Sequence, residues 1–216
     1  MIKALFFDFD GTISDARGIA VKSISRSLDD FGYKIDRSDV LRVMGSRFEI
    51  LLKELGLNPG HLDEIKRRFY RYFNNGAIQK KIKPCVSLKP LWKLKKKYPL
   101  VVISNSESGF LKNSIKSLEI VGLFDEVYGS DNFRLKEDKL KKLFKKMKIS
   151  PKEAIYVGDR YSDIESARAA GCYSVAISNR CSWSTKEALK AEKPDYIIRD
   201  FRGLSKVISK IDSRRE

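Results

Sequence analysis

Histidine is almost absent from the chain, which has one, His61, in 216 residues. Cysteine is scarce, with three residues, Cys85, Cys172 and Cys181, none in a CxxC pair. Together these exclude a Cys/His zinc site, argue against a disulfide framework, and leave no imidazole for a cysteine nucleophile outside the polar segment around His61. Reduced thiols packed as small apolar residues are expected, and with them a cytoplasmic setting. No apolar run approaches the roughly 18 residues of a membrane span, and the start MIKALFFDFDG carries acids where a signal peptide is apolar. Low complexity is missing too, beyond an enrichment in lysine. Acidic residues are the minority charge, 28 against 44 Lys plus Arg, for a formal net charge of +16. That excess invites a nucleic-acid reading. The lysines at 141, 142, 145, 146 and 148, however, fall on the polar face of one amphipathic helix with no aromatic among them, which argues against it.

What is present is an alternation. Short continuous apolar runs at Ile2–Phe7, Leu100–Ile103, Ala154–Val157, Ser174–Ile177 and Tyr196–Ile198 read as strands covered on both faces. Between them lie helical patterns, such as Leu88, Leu91, Trp92 and Leu94, or Leu140, Leu143, Phe144 and Met147. This predicts an α/β fold with a doubly wound, Rossmann-like parallel sheet, in which chemistry sits at the carboxyl ends of the strands. The stretch from Asp15 to Lys81 breaks the rhythm. Its faces, Ala20/Ile24/Leu28/Phe31, Phe48/Leu51/Leu52/Leu55 and Ile65/Phe69/Tyr72/Phe73, are all helical. We therefore expect a core domain of residues 1–14 and 82–216 and a small helical cap of residues 15–81, hinged near Asp15 and Lys83-Pro84.

The residues just after the strands carry the acids. Asp8-Phe9-Asp10-Gly11-Thr12 follows the first strand, and period two puts Asp8 and Asp10 on one side of the backbone. An exposed Asp-Gly turn would also account for this motif. Gly158-Asp159-Arg160-Tyr161-Ser162-Asp163 follows the third strand, with Asp159 and Asp163 four apart across a helix start, although Asp163 also suits a helix cap. Carboxylates converging at one sheet end need a cation, and a donor set of oxygens without histidine points to Mg2+. The second apolar run ends in Ser104-Asn105-Ser106, where a hydroxyl and free amides can cradle a phosphate or, as plausibly, make a plain turn. Lys136, before the lysine-rich helix, can deliver an ammonium to the acids.

These four segments, in this order, resemble the motifs of the haloacid dehalogenase superfamily of phosphotransferases. DxDGT is Asp8 to Thr12, the strand ending in Ser104 is the second motif, and GDxxxD is Gly158 to Asp163. The third motif lysine is Lys136 or Lys139, with Lys136 the better match, because Lys136-Glu137-Asp138-Lys139 stands where relatives often have Lys-Pro-Asp-Pro. The resemblance spans the chain and implies that Asp8 is the nucleophile, passing through an aspartyl-phosphate, while Asp10 is the general acid and base. It implies Mg2+ held by Asp8, the backbone carbonyl of Asp10, Asp159 and Asp163, with Ser104 and Lys136 neutralising phosphoryl oxygens. Thr12 and Asn105 would complete the phosphate cradle, and Arg47, in the turn Met44-Gly45-Ser46-Arg47, resembles a substrate-facing cap residue of the phosphoglycolate phosphatase and β-phosphoglucomutase branches. Asp10 favours phosphate esters over carbon–halogen bonds, since dehalogenating relatives lack an acid there. The expected activity is hydrolysis of a small phosphorylated metabolite by a monomer or homodimer. A phosphosugar mutase and a nucleotidase share the same motifs.

Overall fold

The computed structural model describes residues 1–36, 38–40, 50, 53–79 and 82–214, with the side chains of 77 and 78 excepted. Its centre is a parallel six-stranded sheet. In chain order the elements are β1 (Ala4–Phe7), β2 (Ser14–Asp15), α1 (Arg17–Asp29), α2 (Leu62–Ile78), β3 (Lys83–Pro84), α3 (Lys89–Lys95), β4 (Leu100–Ile103) and α4 (Ser108–Ser117). There follow β5 (Glu126–Tyr128), α5 (Lys136–Met147), β6 (Ala154–Gly158), α6 (Tyr161–Ala170), β7 (Tyr173–Ile177), α7 (Lys186–Ala191), β8 (Tyr196–Ile198) and α8 (Arg202–Asp212). The sheet order is β5-β4-β1-β6-β7-β8, every neighbouring pair parallel. The doubly wound α/β fold expected from the apolar runs is therefore present.

The side-chain period of a strand explains how β1 serves two layers. Leu5 and Phe7 face one side, in a cluster with Leu91 and Leu94 of α3, Phe110 of α4 and Leu204 and Ile208 of α8. Ala4 and Phe6 face the other, with Leu140, Leu143 and Phe144 of α5 and Ala167 of α6. The chain continues straight from Phe7 into Asp8, so Asp8 leaves the sheet on the α5/α6 side.

One strand is absent from the sequence reading. β5, Glu126-Val127-Tyr128, pairs with β4 at the sheet edge, and all three residues are only half-buried. An edge strand of three residues with one aliphatic side chain has no apolar run to announce it.

Among the described residues between β2 and β3, regular structure is helical, apart from the two strands at its ends. Those strands, Ser14–Asp15 and Lys83–Pro84, pair antiparallel as a short ribbon, at the positions expected to act as hinges. α1 buries Ala20, Ile24 and Leu28, and α2 buries Ile65, Phe69 and Phe73. α2 also docks on α4: Phe73 stacks on Phe110 with ring centroids 3.6 Å apart, and Asn113 Nδ2 donates to Asn74 Oδ1 at 3.0 Å. The Met44–Arg47 turn lies outside the described residues, as do Phe48, Leu51 and Leu52 of the helix expected over Phe48 to Leu55.

Candidate active site

Three neighbouring strands, β4, β1 and β6, end side by side, and the residues that follow them form one buried cluster. Asp8 follows β1, Asp159 follows β6, and Asp163 is the third residue of α6. All three are buried, with carboxylate oxygens within 4.8 Å of one another. Lys136, the first residue of α5, is 7% exposed and joins them: its Nζ donates to Asp8 Oδ1 and Asp163 Oδ1, each at 2.7 Å. Lys139 instead places its ammonium over the Tyr128 ring, 3.3 Å from the centroid. Of the two lysines considered for the third motif, Lys136 is the one bonded to the acids.

Asp163 does two things at once. Its Oδ2 accepts from the Arg160 amide at 3.0 Å, capping the helix from inside its first turn, while Oδ1 takes the lysine. The helix starts two residues before Asp163, so the capping and pocket readings describe two oxygens of one carboxylate. Gly158 is what lets it in. A Cβ there would stand 2.4 Å from the Asp163 side chain, closer than any real contact.

Asp159 is held on both oxygens. Thr12 Oγ1 donates to Oδ1 at 2.9 Å, and the Trp183 amide donates to Oδ2 at 2.6 Å. The Thr12 hydroxyl, expected to face phosphate, is spent on orienting a carboxylate. Gly11 sits at φ +88, and a Cβ on it would lie 2.4 Å from Asp159 Oδ2, so this turn closes on the acid only because it has no side chain.

Asp10 lies beyond the strand, in a turn of its own. β1 ends at Phe7, and residues 9–14 form a turn in which the Gly11 amide donates to the Ser14 carbonyl at 2.9 Å. Alternation stops with the strand. The Asp10 carboxylate stands outside the trio of acids and accepts from Ser14 Oγ at 2.8 Å and Ser106 Oγ at 2.6 Å, while its charge still reaches Asp8. Ser104 is buried beyond the end of β4, its Oγ accepting from the Ser106 amide at 3.2 Å, with Asn105 half-buried between them. Arg47 lies outside the described residues.

Sequence reasoning passed over Ser106 as an Asp10 partner, and missed Tyr156 and Trp183 altogether. The Tyr156 hydroxyl, buried beneath the cluster, donates to the Ile103 carbonyl at 3.0 Å and lies 3.4 Å from Asp163 Oδ1. Tyr156 reads as an ordinary core aromatic inside an apolar run. Trp183 acts through its backbone amide, which no side-chain pattern reveals.

The electrostatics follow from burial. Desolvation pushes the Asp8 carboxyl up to about 7, resisted by the Lys136 charge and aided by Asp163. Burial also raises Asp10, although the Ser106 and Ser14 hydroxyls pull it back, and holds Asp159 well above the usual carboxylate range, reinforced by Asp8 and Asp163. For Lys136 burial pulls downward, but the Asp163 and Asp8 charges outweigh it and keep the ammonium well above its ordinary value. Three buried carboxylates facing one ammonium leave negative charge in excess, in a pocket of oxygen donors alone. That donor set fits a hard divalent cation.

A family model described as haloacid dehalogenase-like hydrolase matches residues 5–177, which include every motif above. The chain belongs to that family. Among its haloacid dehalogenase-like relatives, a candidate pyrophosphatase, PpaX, of Caldanaerobacter subterraneus is 32% identical over 98% of this chain and 96% of its own. A phosphoglycolate phosphatase of Aliivibrio fischeri is 25% identical over 96% of this chain and 97% of its own. The fold matches that of a haloacid dehalogenase-like hydrolase from Streptococcus pneumoniae, 24% identical, with a TM-score of 0.84 over 96% of this chain and 98% of that one.

Proposed function

We propose that this haloacid dehalogenase-like hydrolase is a Mg2+-dependent phosphatase that cleaves a small organic phosphate ester, with residues 15–81 acting as a cap over a core of 1–14 and 82–216. The observation that carries this reading is the buried cluster of Asp8, Asp159 and Asp163 with Lys136 bonded to two of its members. A structural ion pair needs one acid for one lysine. Three acids around one lysine are costly unless a cation is bound.

Asp8, Asp159 and Asp163 would hold the ion, which, when bound, screens the phosphoryl group and lowers the barrier to attack by an anionic nucleophile. Asp8 attacks phosphorus, forming an Oδ–P bond as the ester P–O bond breaks. Lys136 holds Asp8 in place and neutralises a phosphoryl oxygen. Asp10, outside the carboxylate trio and steadied by two serine hydroxyls, donates its proton to the departing alkoxide. It then takes a proton from the water that releases phosphate from Asp8. The Ser104 hydroxyl receives a further phosphoryl oxygen.

The names of the relatives support a small substrate and divide it into two classes, phosphoglycolate and pyrophosphate. The test is hydrolysis of an aryl phosphate, phosphoglycolate and inorganic pyrophosphate, with and without Mg2+, by the native chain and by Asp8→Asn. We expect Mg2+-dependent turnover that falls by roughly 10³-fold or more in the variant. Equal rates in the two proteins would contradict the assignment.

A further inference from the structure

The chemistry above takes no side chain from α1 or α2, yet between these helices and the β2–β3 ribbon lies a cavity of about 550 Å³. None of Asp8, Asp10, Ser104, Lys136, Asp159 and Asp163 lines it. Helical spacing decides what does. α1 turns Ala20, Ile24 and Leu28 into the core, and Lys22 and Arg26, four residues apart, into the cavity. α2 turns Tyr72, Asn75 and Gly76 towards it, with Gln79 just beyond the helix end. The two helices meet at the floor, where a side chain on Gly76 would run into Ile19. Lys83 of β3 closes one end, directly opposite Asp15 of β2 in the ribbon.

The lining therefore gathers three cations, Lys22, Arg26 and Lys83, against one acid, Asp15. Asp15 is answered from outside the cavity, by Arg180 at 3.9 Å. Arg26 lies over the Tyr72 ring, 4.3 Å from its centroid, while the Tyr72 hydroxyl donates to Asp30 at 2.7 Å. Lys22 and Lys83 are exposed, and among the described residues no carboxylate forms an ion pair with either. Lysines that are merely solvated spread apart on a surface. Here three like charges from two elements converge on one concave site, where they repel each other until an anion sits among them. Two ammonium groups and a guanidinium suit phosphate oxygens, and the Asn75 and Gln79 amides add uncharged donors.

We propose that this cavity binds a small, multiply charged phosphate anion, held between α1, α2 and β3 at a site separate from the carboxylate cluster. The metal-free cluster carries excess negative charge and repels such an anion, so the two sites are told apart by working without metal.

The test is equilibrium dialysis of radiolabelled methylenediphosphonate against the full chain, freed of metal on a chelating resin. The P–C–P bridge of this probe resists hydrolysis, so the result does not depend on the proposed activity. One saturable site is expected, and its affinity should fall as sodium chloride is added. Lys22→Glu and Lys83→Glu should each weaken binding by about tenfold or more. Ser104→Ala, in the active site, should bind as the native chain does. Both lysines are exposed, so both variants should keep the native unfolding midpoint without the probe. No saturable binding, native affinity in either lysine variant, or loss of binding in Ser104→Ala would overturn the proposal.

Discussion

Asp8 and Asp10 are two residues apart and live in different environments, and that separation is what a nucleophile and an acid require. Asp8 meets a lysine and two further carboxylates, whereas Asp10 meets two hydroxyls. Ser106→Ala removes one of the two bonds that aim the Asp10 carboxylate. A lost hydrogen bond to a charged group costs about 1.5–3 kcal/mol, so kcat should fall roughly tenfold or more, with KM changed less, in steady-state assays on an aryl phosphate. Gly11→Ala should be harsher. It imposes a left-handed conformation on alanine and drives a methyl into Asp159 and Trp183, so a loss of stability of about 1–3 kcal/mol and near-complete loss of turnover are expected by denaturant titration and assay. The acids were legible in the sequence because an Asp just after an apolar run announces its chemistry, and Lys136 was singled out by its place before the lysine-rich helix and by the family resemblance. Ser106, Tyr156 and Trp183 were not, since their roles depend on which strand ends meet, and a hydroxyl or a backbone amide looks the same in any loop.

At the level of elements, the apolar runs located β1, β4, β6 and β7, which are buried along nearly their whole length, and also the edge strand β8, whose Tyr196-Ile197-Ile198 is apolar throughout although Ile197 is exposed. β5 escaped because it is a half-buried edge. The start of α6 was placed late, since Tyr161 and Ser162 carry no apolar signal while Asp163 carries a capping one. The helical character of the region between β2 and β3 was readable from its periodicity, but its docking was not. Phe73 is 3% exposed and stacks on Phe110 across to α4. Phe73→Ala should therefore destabilise the protein by about 3–5 kcal/mol in chemical unfolding. Phe73 packs in the hydrophobic core, so residual folded enzyme should still require Asp8.

Across the whole molecule, the +16 charge and the acidic pocket act in opposite senses. The pocket sets a pH dependence. Asp8 has a folded value of about 7, above the ordinary 3.8, so the stability it lends the metal-free chain is complete below the ordinary carboxylate range and is lost as pH rises through about 7. Asp125, Glu126, Asp131 and Asp200 have lowered values and titrate below that window. The melting temperature of the metal-free chain should thus decline from about pH 5 to pH 7, and added Mg2+ should raise it more at pH 7 than at pH 5, because binding needs ionised carboxylates. A melting temperature that climbs over this window without metal, or a Mg2+ effect independent of pH, would contradict the reading of the cluster. With the small phosphate ester proposed above as substrate, a basic surface would steer it to the pocket, and kcat/KM should then fall as ionic strength rises.

The central claim is that Asp8 carries the phosphoryl group, and rapid acid quench of the enzyme during turnover of a labelled phosphate ester tests it most directly. Peptide mapping of the quenched protein should find label on the peptide containing Asp8 in the native chain and none there in Asp8→Asn. Turnover without label on that peptide, or label that persists in Asp8→Asn, would contradict the account.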